Sequence, residues 1–578
     1  MAFDGIAVSV ITRELNEQLK NMRIVKIYQV DQHTIIFHLR GLGETKQLLI
    51  STSPTYPRIH TTTASYENPP TPPAFCMLLR KYLEPSRILQ ITQHELERII
   101  KIDLEAYDAH LGQSKKTLIF ELMGRHSNLS LVDNDYIIID AINRLSENNN
   151  VRPIFPGIKY TFPPNQGKVN PYQVSKEEFI NSFRLLPANL KLYQGLMQLY
   201  QGLGSEAAQE AIRRAQQEPN QLKQDLNLAE FEQLWLGLQD LLNNPGLPSL
   251  VKDGKKMDFF AYSLTLNKEQ DTYSNLDQLL DQFYTQRITK EQIQQKANNL
   301  KRVLNTHLKR ILKKEQIQRK TLEVAAEGEK WQKYGELITA NLHRINKGNS
   351  SIEVVDYYDP DQPLITIDLD PQLSPSENAQ LFFKRYKKSK TSNKITGRQL
   401  EKTIAERIYL ENVLLHIDIA DSMATLEEIE TELIEQSYLK TPKAKKESKK
   451  KQANSYDKYI SSDGNEILVG RNNKQNDNLT FRVARPDELW LHVQKIPGSH
   501  VIIRSNTNKI TDQTLLEAAT LAAYYSKARN LSKVAVDYTE RKHVRKPSGA
   551  KPGFVFYENF KTIIVDPTNP KNMPKKET

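Results

Sequence analysis

A chain of 578 residues, 38% hydrophobic and 26% charged with a mean hydropathy of −0.59, is too long for one core, and its length predicts about three to five domains. It contains no run of ~18 apolar residues that would span a membrane, and its single cysteine, Cys76, excludes an intramolecular disulfide and a Cys-based zinc site. The net charge of +11 favours a polyanionic partner, and a reducing cytoplasm is the expected compartment.

The opening residues, MAFDGIAVSVITRELNEQL, lack a basic leader segment and read as an amphipathic helix, with Asp4 placed to cap it. Alternating apolar stretches such as RIVKIYQV, HTIIFHLRG, RIIKIDLEAYD and KTLIFELMG predict antiparallel strands. Glu97 and Arg98 stand where one strand begins. They read either as a ligand-facing pair or as a surface salt bridge. Arg125, His126 and Asn128 follow Gly124 in a predicted turn, suited to phosphate or base contacts and equally to an ordinary hairpin.

Prolines close this first region near residue 172, and residues 173–270 read as mainly helical. A Gly-Leu-Gly turn at 202–204, with Ser205 as the expected helix cap, resembles a helix–hairpin–helix that offers backbone N–H groups to phosphate. The plain alternative is a C-cap glycine. Residues 285–345 read as one long helix whose seam runs through Ile293, Ala297, Leu300, Leu304, Leu308 and Ile311. A second seam is expected at Leu415, Ile419, Ser422, Leu426, Ile429 and Leu433, with a hairpin between the two helices, so an antiparallel coiled-coil arm is predicted.

The arm is basic. Between 285 and 347 there are 15 Lys and Arg against 6 Asp and Glu, including Lys309, Arg310, Lys313 and Lys314. The segment FFKRYKKSKTSNK adds Lys384, Arg385, Lys387 and Lys388 beside Phe382, Phe383 and Tyr386, an arrangement suited to RNA or to a solvated face. Seven lysines in KTPKAKKESKKKQA predict a disordered linker before a compact α+β domain. In that domain LVGRNNKQNDNLT reads as a polar hairpin loop, with Arg471 and Lys474 for phosphate and Asn472, Asn473 and Asp477 shaping the turn. Arg545, Lys546 and Lys551 surround a second basic loop. His492 and His500 lack the companions of a catalytic triad or a zinc site and read as structural. No P-loop, dinucleotide fingerprint or HExxH motif occurs, so no cofactor, metal or catalytic residue is expected.

MAFDG, PTYPRIH, YENPPTPPAFCMLLRKYLE, ELMGRHSN, DGNEILVGRNNKQNDNLT, LWLHVQKIPGSHVII and KPSGAKPGFVFY, in this order along the whole chain, closely resemble the NFACT family. The resemblance implies a multidomain α+β protein: an NFACT-N domain at 1–172, a helix–hairpin–helix domain at 173–280, a coiled coil with a middle element at 281–438, a linker at 439–454 and an NFACT-R domain at 455–578. It implies a non-enzymatic ribosome quality control factor. The expected partners are the large ribosomal subunit carrying a stalled peptidyl-tRNA, alanyl-tRNA and a small RNA-binding protein, RqcP, and the outcome is alanine tailing of the stalled chain. Fibronectin-binding adhesion is the alternative, because family members also carry that label. The family's Asp-Arg pair for tRNA matches Glu97-Arg98 with an acid one methylene longer, and Asp4, Arg125, His126 and Asn128 are expected to contact tRNA with it. The first domain resembles that of formamidopyrimidine DNA glycosylases, but Ala2 stands where those enzymes have a nucleophilic proline, so base excision is not expected.

Overall fold

The computed structural model describes residues 3–569 except 42, 109–111, 146–151, 165, 255, 266–268, 441–455 and 505–509. The predicted lysine linker therefore lies almost wholly outside the described residues. The chain divides into two compact units, Met1–Ile288 and Thr289–Thr578.

The first unit opens with α1 (Gly5–Leu19), capped by the Asp4 side chain. Nine antiparallel strands follow: β1 (Arg23–Gln29), β2 (Thr34–Arg40), β3 (Thr45–Ser51), β4 (Arg58–Thr61), β5 (Ser86–Gln93), β6 (Ile99–Asp108), β7 (Gly112–Glu121), β8 (Asn128–Val132) and β9 (Ile138–Ala141). Their order, β4-β3-β2-β1-β5-β6-β7-β8-β9, is a meander folded back at β1 and β5. Helix α1 buries Ile6, Ile11, Leu15 and Leu19, and α2 (Ala74–Leu83) adds Phe75, Leu79 and Leu83 at helical spacing to the same core.

Four helices come next: α3 (Lys176–Arg184), α4 (Leu192–Leu199), α5 (Ser205–Arg214) and α6 (Leu228–Asn243). Capping boxes start α3 at Ser175 and α6 at Asn227. Gly204, not Ser205, holds the N-cap position of α5, and no side chain of its own caps that helix. A small sheet of β10 (Ser249–Asp253), β11 (Lys256–Phe260) and β12 (Gln270–Thr272) completes the unit.

The predicted long helix is α7 (Leu276–Ala326), which starts earlier and ends sooner than expected. Glu327 interrupts it, and α8 (Gly328–Ala340) begins afresh. The hairpin is β13 (Ser351–Val355) with β14 (Leu364–Asp368), and α9 (Pro375–Ile419) returns along α7. Ala297, Leu300 and Leu304 of α7 pack with Tyr409, Leu410, Val413 and Ile417 of α9, which corrects the second predicted seam. Leu415 and Ile419 are half-buried outside that cluster, and Ser422 instead caps a separate helix, α10 (Met423–Glu435), whose Leu426, Ile429 and Leu433 join the core. Of the predicted aromatic platform only Phe382 is internal, while Phe383 stays exposed and Tyr386 half-buried. Phe382 is buried against Trp331 and Tyr334, and Phe383 lies against Gly335.

The C-terminal domain is a six-stranded sheet ordered β15-β16-β18-β17-β19-β22, covered by α12 (Asp512–Tyr524). Its strands are β15 (Asp457–Ile460), β16 (Glu466–Val469), β17 (Leu489–Val493), β18 (Val501–Arg504), β19 (Val534–Glu540) and β22 (Lys561–Val565), while β20 (Val544–Arg545) and β21 (Phe556–Tyr557) pair separately. The segment expected as a polar hairpin loop is helical. It forms α11 (Asn473–Asn478) and a π turn at Leu479–Val483, and it is largely buried. Asn472 starts α11 by accepting a hydrogen bond from the Gln475 N–H at 2.9 Å, so it does shape the turn, as a helix cap.

Candidate nucleic-acid interface

In the first unit, three chain segments meet around a cleft of about 490 Å³: the start of α1, the turn between β5 and β6, and the Gly202–Ser205 turn before α5. Gly5 and Gly202 bring them together. The Gly5 N–H donates to the Gly202 carbonyl at 2.7 Å, and a Cβ on Gly5 would stand 2.2 Å from the Leu96 carbonyl oxygen. Gly202 has φ +70°, and a Cβ there would also meet Leu96, so both positions require glycine. Two helices of 15 and 10 residues thus begin at one cleft and direct N–H groups and positive dipole ends toward it.

Asp4 sits between them. Its Oδ1 accepts from the Ala7 N–H at 2.9 Å, and its carboxylate also accepts from the Gly204 N–H, so one side chain serves both helix starts. Burial pushes its pKa up to about 6 from 3.8 despite these hydrogen bonds. The expected capping role of Asp4 is therefore observed, together with a second cap that spacing did not suggest.

Glu97 and Arg98 lie in the turn ahead of β6, not on alternating strand faces, and both line the cleft. The Glu97 N–H donates to the His94 carbonyl at 3.0 Å, and the Arg98 carbonyl accepts from the Leu122 N–H at 2.9 Å, which fixes the turn on β7. Lys168, Gln201 and His94 complete the wall; none was singled out from the sequence. Gln201 donates to Glu95 Oε2 at 2.9 Å, and His94 stacks on Phe162 with centroids 3.8 Å apart. The cations Arg98 and Lys168 and the carboxylates of Glu95 and Glu97 thus line one cleft.

The neighbouring turn divides its predicted residues. Arg125 and His126 are exposed, with Arg125 Nε donating to His126 Nε2 at 3.0 Å. Asn128 is only 2% exposed. It donates to the Asn143 carbonyl at 2.8 Å and accepts from the Leu129 and Asn143 N–H groups. With both ends of its amide engaged in holding β8 to the following segment, Asn128 is removed from the RNA-contacting set.

On the arm, Lys309, Arg310, Lys313, Lys314, Lys384, Lys387 and Lys388 are exposed, and among the described residues no carboxylate pairs with them. Arg385 is exposed too and lies over the Trp331 ring at 5.3 Å.

The C-terminal domain contrasts with this. Arg471 binds the buried Asp457, with Nε 3.0 Å from Oδ1, and Lys474 Nζ is 2.6 Å from Glu435 Oε2. Lys546 pairs with Asp477, and Lys551 lies over the rings of Tyr438 and Tyr409 at 4.3 and 4.6 Å. These four predicted phosphate ligands are engaged within the unit, and Arg545 stays exposed with no partner among the described residues. Of their partners only Glu435 belongs to α10, which also brings two further carboxylates against the start of α11. Glu428 accepts from Asn472 and Gln475, each at 2.7 Å, and Glu432 accepts from Tyr409 at 2.8 Å and Asn473 at 3.2 Å. Burial pushes Glu432 up to about 6. His500 is buried and His492 half-buried. His500 Nδ1 lies 2.8 Å from Thr480 Oγ1, and burial lowers the pKa of both histidines. Among the described residues no cluster of His, Cys, Asp and Glu could hold a metal, and no helix is long and apolar enough to cross a membrane.

Comparison with known proteins agrees with these motifs. The family of NFACT N-terminal and middle domains matches residues 4–452, and the NFACT protein RNA binding domain matches 455–559. A curated RqcH of Bacillus subtilis (strain 168), described as an Rqc2 homolog, is 38% identical over 571 residues, 98% of each chain. Human NEMF, a subunit of the ribosome quality control complex, is 29% identical over 140 residues, 24% of this chain and 12% of NEMF. Among solved structures, the C-terminal part of a fibronectin/fibrinogen-binding protein from Streptococcus suis is 36% identical, covering 49% of this chain and 98% of that one with a TM-score of 0.39. With both of its family domains matched in order and a full-length relative at this identity, the chain belongs to the NFACT family.

Proposed function

We propose that the protein is a ribosome quality control factor that binds an obstructed large ribosomal subunit carrying peptidyl-tRNA. It recruits a further tRNA, charged with alanine, for mRNA-independent C-terminal tailing of the stalled chain. The peptide bond is made by the ribosome, RqcP cooperates, and the factor works in the cytoplasm. The observation that carries this reading is the cleft, where Arg98 and Lys168 face two converging helix starts. Such a site suits a folded RNA backbone and a splayed base. The exposed cations Lys309, Arg310, Lys313 and Lys314 of α7 supply a second, sequence-independent contact suited to ribosomal RNA. The printed names of the full-length RqcH relative and of NEMF support the same role.

The test is cosedimentation of the purified chain with large subunits loaded with peptidyl-tRNA, followed by sequencing of the recovered tRNA. Retention on loaded subunits that weakens with salt, with alanine tRNA enriched, supports the proposal; indifference to loaded subunits at modest ionic strength contradicts it. Fibronectin binding is the competing reading, named by the S. suis structure. Loss of the protein from intact cells on surface proteolysis would favour it.

A further inference from the structure

Halfway along the arm the usual patterning of a helix pair is inverted. Where α7 and α9 should meet through apolar side chains, Glu315, Gln318 and Thr403 are buried, and Arg407 Nε bonds Glu315 Oε2 at 2.9 Å. Several apolar residues of this stretch face outward: Ile317 is 58% exposed and Val324 64%, with Leu312 and Ile395 also exposed. Ile317, Thr321 and Val324 recur at i, i+4 and i+7, the stripe with which one helix receives another.

The stripe borders a groove of about 500 Å³. Its far wall is α9 at Arg385, Lys388 and Ser389, and its end is Trp331 at the start of α8. The break at Glu327 shapes it. Ser389 Oγ donates to the Ala325 carbonyl at 2.7 Å, where the helical ladder of α7 ends, and a Cβ on Gly328 would lie 2.5 Å from that hydroxyl. Lys320, Arg385 and Lys388 rim the groove, and Lys384 and Lys387 continue the cationic border beside Ile395.

We propose that this groove receives an acidic amphipathic helix from a partner protein, with aliphatic anchors against Ile317 and Val324 and carboxylates toward Lys320, Arg385 and Lys388. Two observations select this occupant. The aliphatic side chains offer no plane for a nucleobase, and the groove's one large ring, Trp331, already stacks on Phe382 at 22° and lies under Arg385. A second copy of the chain would bring an equally cationic rim against this one. The interaction is separate from the tRNA cleft, which lies in the other unit.

The experiment uses the full chain and a fluorescein-labelled peptide of about three heptads, leucine at the core positions and glutamate on both flanks. Its lysine-flanked counterpart and a uridine oligonucleotide serve as controls. The glutamate peptide is expected to bind saturably, and Ile317→Ser with Val324→Ser to weaken it at least about tenfold without loss of helical circular dichroism. Arg385→Glu with Lys388→Glu is expected to turn the preference toward the lysine peptide. The proposal is overturned if the glutamate peptide does not bind, or if its binding ignores the Ile317/Val324 change. It is equally overturned if the oligonucleotide displaces the peptide and depends on the same two residues, or if the chain forms a dimer that this change disperses.

Discussion

The cations of the arm and those of the C-terminal domain are alike in residue type and local density, yet they meet opposite surroundings. Lys309, Arg310, Lys313 and Lys314 stand on an outer face of α7 with no carboxylate within pairing distance among the described residues. Arg471, Lys474, Lys546 and Lys551 are held by Asp457, Glu435, Asp477 and the rings of Tyr438 and Tyr409. A basic segment is available to a phosphate only where the fold leaves its cations unmatched. In the second unit the matching comes from Asp457 and Asp477 within the C-terminal domain itself, and from Glu435 of α10 with the rings of Tyr409 and Tyr438. Lys474 and Lys551 thereby join the domain to α9 and α10, Arg471 and Lys546 are tied inside the domain, and those α7 cations stay unmatched among the described residues.

The largest expected effect is on stability. Arg471→Ala leaves the buried Asp457 carboxylate without its guanidinium and should cost about 3 kcal/mol, read as a lowered midpoint in urea. An unchanged midpoint would dissolve the contrast, because Arg471 would then be as dispensable as an exposed cation. Next, reversing the arm face with Lys309→Glu, Arg310→Glu, Lys313→Glu and Lys314→Glu should weaken large-subunit binding about 100-fold, about 2.7 kcal/mol, while the urea midpoint holds. Unchanged cosedimentation would show that face to be merely solvated.

A pH series sharpens the view of the docked base. Glu432 titrates near 6 in the folded chain against 4.5 for an ordinary glutamate, so the folded state holds the proton more tightly. Stability then falls as pH rises from about 4.5 to about 6 and levels off above, a loss on the order of 2 kcal/mol. Glu432→Gln keeps an acceptor for Tyr409 and should flatten its share of that slope; an unaltered slope would place the titration elsewhere. Asp4, raised by burial over a similar window, adds a slope of the same sign in the first unit, which Asp4→Asn would remove. The smallest effect belongs to Lys474→Ala. Its pair with Glu435 is partly exposed, so less than about 1 kcal/mol should be lost. RNA affinity should also stay the same, and a clear loss of it would return Lys474 to the phosphate-binding set.

Much of the architecture was legible from period and punctuation. The strands β1, β2, β6 and β7 follow alternating β-branched runs, and the α7 seam from Ala297 to Leu304 follows its heptad spacing. The misread elements share a cause, a distant partner. LVGRNNKQNDNLT looks like a solvated loop because nothing nearby in sequence can satisfy its amides. Glu428 and Glu432 do so across the fold. The second seam was misplaced because Ser422 caps a new helix, a break that a continuous heptad count overrides. At the cleft, Asp4, Glu97, Arg98 and the Gly-Leu-Gly turn each carried a weak local signal. Their meeting is a long-range event that depends on Gly5 and Gly202 approaching Leu96. Lys168 and Gln201 had no local signal at all, since a single Lys in a proline-rich segment and a Gln after a helix are ordinary residues.

The central claim is that tRNA is held at the cleft of the first unit while the subunit is held through the arm. The most direct measurement compares Arg98→Ala with the four-residue arm reversal, reading tRNA recovery and large-subunit cosedimentation from the same preparations. The account predicts that Arg98→Ala lowers tRNA recovery about tenfold or more with subunit binding retained, and that the arm reversal lowers subunit binding first. Equal loss of both activities in the Arg98 variant, or full tRNA recovery from it, would contradict the account.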